Sequence, residues 1–518
     1  MSDLARNSSD LVQIELLPLG EVLSVPRGTP LQDLLFGHGV EFPCGGHGLC
    51  KGCKFKVLSG SLAVTAEDRV KLTPIELAQG SRLACRAVAT TDLRLELAQW
   101  EAPILTDDSV FGFTPQEGWG VAIDLGATTI AAQLLDLRTG QVLAVSTALN
   151  IQAVHGADIM SRVEFAVAAQ GHRTLERLVR EQIGRLIEEL LCAVGKAEAG
   201  SACSALRSIV VVGNTVMHHL FCGLSVEPLS HVPFESPSPG LQVFPAAELG
   251  WKLAGNPTVH FLSCLGGFVG SDILAGVLAT KLHESDALAA LIDLGTNGEL
   301  VVGNRGRLLC ASTAAGPAFE GARISVGMRA ATGAISEAHV IDGRLQCHVI
   351  GNGPARGICG SGLVDAVAGG LDLGWIQPNG RLARGASLGL APAVSLTQRD
   401  IRELQLAKGA IAAGLKLLLE QWGAAKADLT QIYLAGAFGN YVNQASARRI
   451  GLLDVPAEKL RASGNTALLG AKLALFNLAQ HDGAYPDILA RIKHVPLNED
   501  AHFQEAFVAE MSFPTRQP

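Results

Sequence analysis

The chain has 518 residues, 48% of them hydrophobic and only 17% charged, with a formal net charge of −8. That length exceeds what one hydrophobic core sustains and predicts about three domains, and the sparse charge predicts large buried sheets. The mildly acidic balance, with no Lys/Arg block, excludes a nucleic-acid footprint. The first residues hold no apolar core of signal-peptide length, no run of about 18 apolar residues reads as a membrane span, and the eleven cysteines of a chain without a signal are not a disulfide framework, so a reducing cytoplasm is the expected home.

In chain order, residues 11–16 and 20–25 read as short strands around a Pro-Leu-Gly turn. Thr29 to His38 reads as a helix with Leu31, Leu34 and Leu35 on one face. Then come Cys44, Cys50 and Cys53 in a glycine-rich loop, with Cys85 following alone: C-x5-C-x2-C, 31 residues, C. A tight thiolate triplet plus a distant single is the pattern of a [2Fe–2S] cluster, the loop wrapping the cluster and one returning segment closing the cage. Zinc is the competing reading, but zinc ribbons usually present two C-x2-C pairs and only one exists here. Four cysteines satisfy the cluster, so His47 inside the loop is read as a residue tuning its potential. A strand follows at KFKVLSG, then Thr73-Pro74-x-Glu76 opens a short helix. Over about residues 10–98 this order resembles the β-grasp [2Fe–2S] ferredoxins, and the five-residue gap matches the adrenodoxin-like variant. Residues 99–118, with two prolines, four acids and little periodicity, read as a linker.

The second module starts with an apolar strand, the turn Asp124-Leu125-Gly126-Ala127-Thr128-Thr129, and another apolar strand. The same grammar returns at Asp293-Leu294-Gly295-Thr296-Asn297-Gly298. Two copies make an internal repeat, more specific than either alone. Each Asp sits at a strand end, able to orient a metal-bound or attacking water; each glycine lets backbone approach phosphate; turn amides and Thr hydroxyls donate to phosphate oxygens. Ser208 to Phe221 reads as strand, Gly-Asn turn and helix. Gln431 to Asn440 is a strand feeding a small-residue turn, and Gly464-Asn465-Thr466 opens a small-residue helix. Thr174–Val194 and Arg399–Trp422 carry apolar residues at helical spacing. Arg356 to Asp365 is a Gly/Ser loop opening a helix, either an anion-binding turn or a tight turn before a core helix.

The order phosphate loop, connector, phosphate loop, adenosine loop, connector resembles the acetate-kinase/sugar-kinase/actin (ASKHA) superfamily, two α/β lobes hinged around a nucleotide, over about residues 119–480 of a domain expected to span 119–518. Joined to the ferredoxin module, the motifs DLGATT, VVGNTVMHHL, DLGTNGEL, GICGSGL and LAGAFGN resemble the ATP-dependent reductive activators of corrinoid proteins. The resemblance implies a multidomain α+β and α/β chain that passes one electron from a [2Fe–2S] cluster to Co(II) of a corrinoid protein or methyltransferase, giving Co(I), coupled to ATP with Mg2+. It implies Cys44, Cys50, Cys53 and Cys85 as cluster ligands. Asp124 and Asp293 become the catalytic carboxylates. Gly126, Thr128 and Thr129 form the first phosphate loop, Gly295, Thr296 and Asn297 the second, and Gly436 with Phe438 the adenosine side. It further implies an upstream reductase or ferredoxin as electron donor, and a homodimer.

Two rivals compete. A small-molecule kinase with a redox domain would use Asp272 as base. An activator of a radical dehydratase would hold a [4Fe–4S] cluster on cysteines of the ATPase fold, for which Cys264 and Cys359 are the candidates. The remaining cysteines read as buried small hydrophobes, and His218-His219 as structural.

Overall fold

The structure is a computed structural model that describes residues 11–17, 21–36, 38, 40, 48, 53–72, 74–97, 107, 109, 111–156, 158–168, 170–195, 206–295, 297–321, 323–331, 333–480 and 484–515. Cys44, His47, Cys50, Thr73, Cys203 and Thr296 lie outside them, as do residues 98–106. Two compact units result, one formed by residues 1–102 with Leu149–Phe165, the other by Pro103–Ala148 with 166–518.

The first unit is the expected β-grasp fold. Strand β1 (Leu11–Leu17) pairs antiparallel with β2 (Glu21–Pro26), helix α1 spans Leu31–Phe36, and β3 (Lys54–Ser59), α2 (Ala66–Lys71), β4 (Ser81–Leu83) and β5 (Leu93–Leu97) follow. The sheet order is β2-β1-β5-β3-β4, with β1 parallel to β5. Alternation along β1 buries Val12, Ile14 and Leu16 against Leu31 and Leu35 of α1, the one-faced pattern that fixes register. Leu149, Ile151, Ala153 and Val154 pack on the same core.

The second unit holds two six-stranded sheets. The first runs β8-β7-β6-β9-β11-β10, from β6 (Trp119–Leu125), β7 (Thr129–Asp136), β8 (Val142–Leu149), β9 (Leu206–Gly213), β10 (Gln242–Pro245) and β11 (Thr258–Phe261). Helix α3 (Gly171–Gly195) precedes β9, α4 (Thr215–Cys222) follows it, and α5 (Ser271–Thr280) follows β11. The second sheet runs β16-β15-β12-β13-β14-β17, from β12 (Ala289–Leu294), β13 (Gly298–Asn304), β14 (Arg307–Thr313), β15 (Gln431–Ala435), β16 (Leu460–Ala462) and β17 (Ile492–His494). Helices α6 (Gly360–Asp372), α7 (Gln398–Trp422), α8 (Gly436–Tyr441) and α9 (Thr466–Gln480) complete it.

The repeat read from the sequence is a repeat of topology. In each sheet an antiparallel hairpin bears the Asp-x-Gly turn, and a later strand joins its first strand in parallel: β9 beside β6, β15 beside β12. Helix α7 starts where Thr397 and Asp400 form a capping box and stops at left-handed Gly423. Among the described residues no helix is long and apolar enough to cross a membrane.

Candidate functional site

In the first unit, β3 and β4 run antiparallel with Lys54 opposite Leu83, and the Ala84 N–H donates to the Cys53 carbonyl at 3.0 Å. Cys53 is therefore drawn beside the single turn Ala84–Arg86 that carries Cys85. The cysteine sits in that turn, ahead of the last strand. Asp68 anchors the turn from below: its Oδ1 accepts the Leu83 N–H at 2.9 Å and its Oδ2 the Thr65 N–H at 2.9 Å. Cys53 is buried and Cys85 half-buried. Gly48, from the loop that carries Cys44 and Cys50, has φ +73°, and a Cβ there would lie 3.0 Å from Glu67 Cγ and 3.1 Å from Arg86 Nε. Gly48 thus lies against the residue next to Cys85. Cys53 and Cys85, two soft thiols brought to one end of a small sheet, fit an iron–sulfur cluster.

In the second unit, both Asp-x-Gly turns close in the same way. The Gly126 N–H bonds to the Thr129 carbonyl at 3.0 Å, and the Gly295 N–H to the Asn297 carbonyl at 3.1 Å. A Cβ on Gly126 would sit 2.6 Å from that carbonyl oxygen, so only glycine closes the first turn. Thr128, Thr129 and Asn297 are half-buried at the turns.

Asp124 and Asp293, partly open to solvent yet surrounded by protein, are joined by two carboxylates that sequence reasoning did not assign. Asp272, weighed only as a rival's base, opens α5 with its Oδ1 accepting the Ile273 N–H at 2.9 Å. Glu299 stands opposite Asp293 in the β12–β13 register. Burial pushes Asp124 up to about 6, with the Asn465 hydrogen bond opposing it. Burial, then the Asp124 charge, pushes Asp293 up to about 7. Burial followed by the Asp293 and Asp124 charges pushes Asp272 up to about 7. Burial, then Asp272 and Asp293, holds Glu299 well above the usual carboxylate range. Four acids that disfavour one another's ionised forms make a site that a divalent cation would stabilise. Among the described residues no three stand close enough to chelate a metal directly. A pattern signal existed for Glu299: it and Asp293 flank their turn symmetrically.

Gly436 has φ +79°, and a Cβ there would lie 2.6 Å from Asp293 Oδ1, so the turn after β15 reaches the second Asp-x-Gly turn through a glycine. Phe438 is buried and stacks on Phe319, ring centroids 4.4 Å apart, forming a wall rather than offering a free face. His218 and His219 are buried; His219 Nδ1 pairs with the Thr215 carbonyl at 2.8 Å and Nε2 with Ser236 Oγ at 2.8 Å, a structural role. Cys264 and Cys359 are buried and Cys264 is pushed up to about 12 by burial, unlike exposed bridging ligands. Cys192 is exposed, against the expectation of burial.

Family models match three consecutive spans: a 2Fe–2S iron–sulfur cluster binding domain over residues 14–90, the RACo middle region over 119–285, and the C-terminal domain of RACo, the ASKHA domain, over 287–518. The chain is 33% identical over 444 residues to the corrinoid activation enzyme RamQ of Eubacterium limosum, covering 79% of this chain and 74% of that protein. It is 28% identical over 426 residues to the [Co(II) methylated amine-specific corrinoid protein] reductase of Methanosarcina barkeri, covering 77% of each. Among solved structures, a reductive activator for corrinoid, iron–sulfur protein superposes with a TM-score of 0.67 at 26% identity, covering 97% of this chain and 98% of that one.

Proposed function

The chain belongs to the RACo family, and on that premise we propose that it reactivates a corrinoid protein by one-electron reduction of Co(II) to Co(I), coupled to ATP turnover. Cys44, Cys50, Cys53 and Cys85 hold the cluster, which when bound supplies one low-potential electron and is re-reduced by an upstream reductase or ferredoxin. Turn amides and hydroxyls at Gly126, Thr128 and Thr129, and at Gly295, Thr296 and Asn297, bind the phosphates. Asp124 and Asp293 orient the waters of a Mg2+–nucleotide. Gly436 lets the nucleoside side approach Asp293, and Phe438 backs it. The functional unit is a homodimer in the cytoplasm.

Coupling has a physical motive. Plant-type clusters sit near roughly −400 mV, and each 59 mV or so of uphill one-electron transfer costs about tenfold in equilibrium. Where Co(I) formation lies below the donor's potential, the electron reaches cobalt rarely unless the balance shifts. A nucleotide clamp shifts it by binding the partner's two states with different affinity, and by no more than that difference.

The observation carrying the reading is that Asp124 and Asp293, one from each copy of a duplicated hairpin, lie near enough for the Asp124 charge to raise Asp293 and for both to raise Asp272. Replacing either by Ala is expected to abolish ATP-dependent reduction while leaving the visible spectrum intact. Loss of the spectrum in either variant would overturn the division of labour between the two units.

A further inference from the structure

Asp124 and Asp293 belong to different sheets, and one short connector touches the surroundings of both. Gly464 and Asn465 join β16 to α9. The Gly464 carbonyl accepts the Gly436 N–H at 3.2 Å, and Gly436 is the residue pressed against Asp293 Oδ1. Asn465 reaches the other way. Its Nδ2 donates to Asp124 Oδ2 at 2.9 Å across 341 residues of sequence, while its Oδ1 accepts the Leu468 N–H at 2.8 Å and caps α9. Because the carbonyl end is committed to an N–H, the amide end must face the carboxylate, which settles the orientation of the side chain.

The helix behind it is fixed. Thr466 is buried, and a Cβ on Gly470 would lie 2.1 Å from the Ala275 carbonyl oxygen of α5, so the two helices touch backbone to backbone. The same tripeptide at Gly213-Asn214-Thr215 serves as a comparison within the chain. Asn214 Oδ1 caps α4 through the Met217 N–H at 3.0 Å, but among the described residues its Nδ2 donates to no carboxylate. Capping alone therefore explains Asn214 and does not explain where Asn465 points.

We propose that Asn465 is a positioning residue of the nucleotide site: it holds one carboxylate oxygen of Asp124, anchored through the α9 cap, and so presents the other oxygen to the attacking or metal-bound water in a fixed orientation. This rests on the reading of Asp124 as a residue of an ATP-hydrolysing site. A hydrogen bond to a charged group governs transition-state alignment more than ground-state binding of a nucleotide held elsewhere by its phosphates, so its loss falls on kcat.

The test is steady-state ATP hydrolysis by the full chain, purified anaerobically, as wild type, Asn465→Ser and Asn465→Ala. Serine keeps an N-cap acceptor but is too short to cap and reach Asp124 together. Asn465→Ser is expected to lose about 10- to 100-fold in kcat with the KM for ATP little changed and the unfolding midpoint retained. Asn465→Ala is expected to lose the same in kcat and to unfold earlier. Wild-type kcat in Asn465→Ser, or a defect confined to KM, would overturn the positioning role while leaving the ATP site standing. A wild type that hydrolyses no ATP would remove the underlying reading, and this one with it.

Discussion

Asp293 and Glu299 stand directly opposite one another across the β12–β13 hairpin, a half-buried and a buried carboxyl at one register position. Like charges placed so oppose folding. The pair, with Asp272 and Asp124, puts the site under an electrostatic load that a cation would relieve.

That load has a pH signature. The carboxyl of Asp293 is raised in the folded protein to about 7 from 3.8. Below about pH 4 both folded and unfolded chains carry its proton and it costs nothing. Between there and about 7 the folded state binds more protons, so stability falls as pH rises, and above 7 the full cost, on the order of a few kcal/mol, is present. Asn in place of Asp293 is expected to make the nucleotide-free protein more resistant to urea at pH 8, with the advantage shrinking toward pH 5, and to abolish ATP hydrolysis. A difference independent of pH would contradict this.

Lys472 of α9 and Asp107 form a buried ion pair. The Lys472 ammonium also donates to the Asp107 carbonyl at 2.9 Å, and that carbonyl accepts from Gln133 Nε2 at 2.9 Å. Removing one partner strands a buried charge, so Lys472→Met and Asp107→Leu are each expected to destabilise by about 3–5 kcal/mol. The double variant should cost clearly less than the sum, as measured by denaturant unfolding in a double-mutant cycle. Strict additivity would mean that the two side chains act separately.

Cys85→Ser and Cys53→Ser are each expected to lose the visible absorbance of the reconstituted cluster while nucleotide-dependent ATPase activity persists. Full absorbance at wild-type iron content in either variant would remove that residue from the ligand set.

What the sequence made legible was local. The Asp-x-Gly turns could be read because Gly126 closes against Thr129 with no room for a Cβ, and the helix limits because caps such as Thr397 and Asp400 act within one turn. The α1 face and β1 alternation followed from period alone. What escaped was long-range. Asn465 meets Asp124, Lys472 meets Asp107, and Leu149–Phe165 groups with the first unit, none of which leaves a periodic trace. The stretch read as linker sends Phe111 and Phe113 onto Phe476, ring centroids 5.7 and 4.6 Å away, an aromatic alternation overshadowed by the acids around it. Glu299 was printed in the motif but its neighbour across the hairpin became visible only with the register.

The most direct test of the whole account is anaerobic. The pre-reduced protein is mixed with a Co(II) corrinoid protein, and Co(I) absorbance, or methyl-Co(III) absorbance when a methyl donor is present, is followed with and without Mg-ATP. The account predicts Co(I) that appears with ATP and not without it. An intact cluster and ongoing ATP hydrolysis with no effect of ATP on cobalt, across several corrinoid partners, would contradict it.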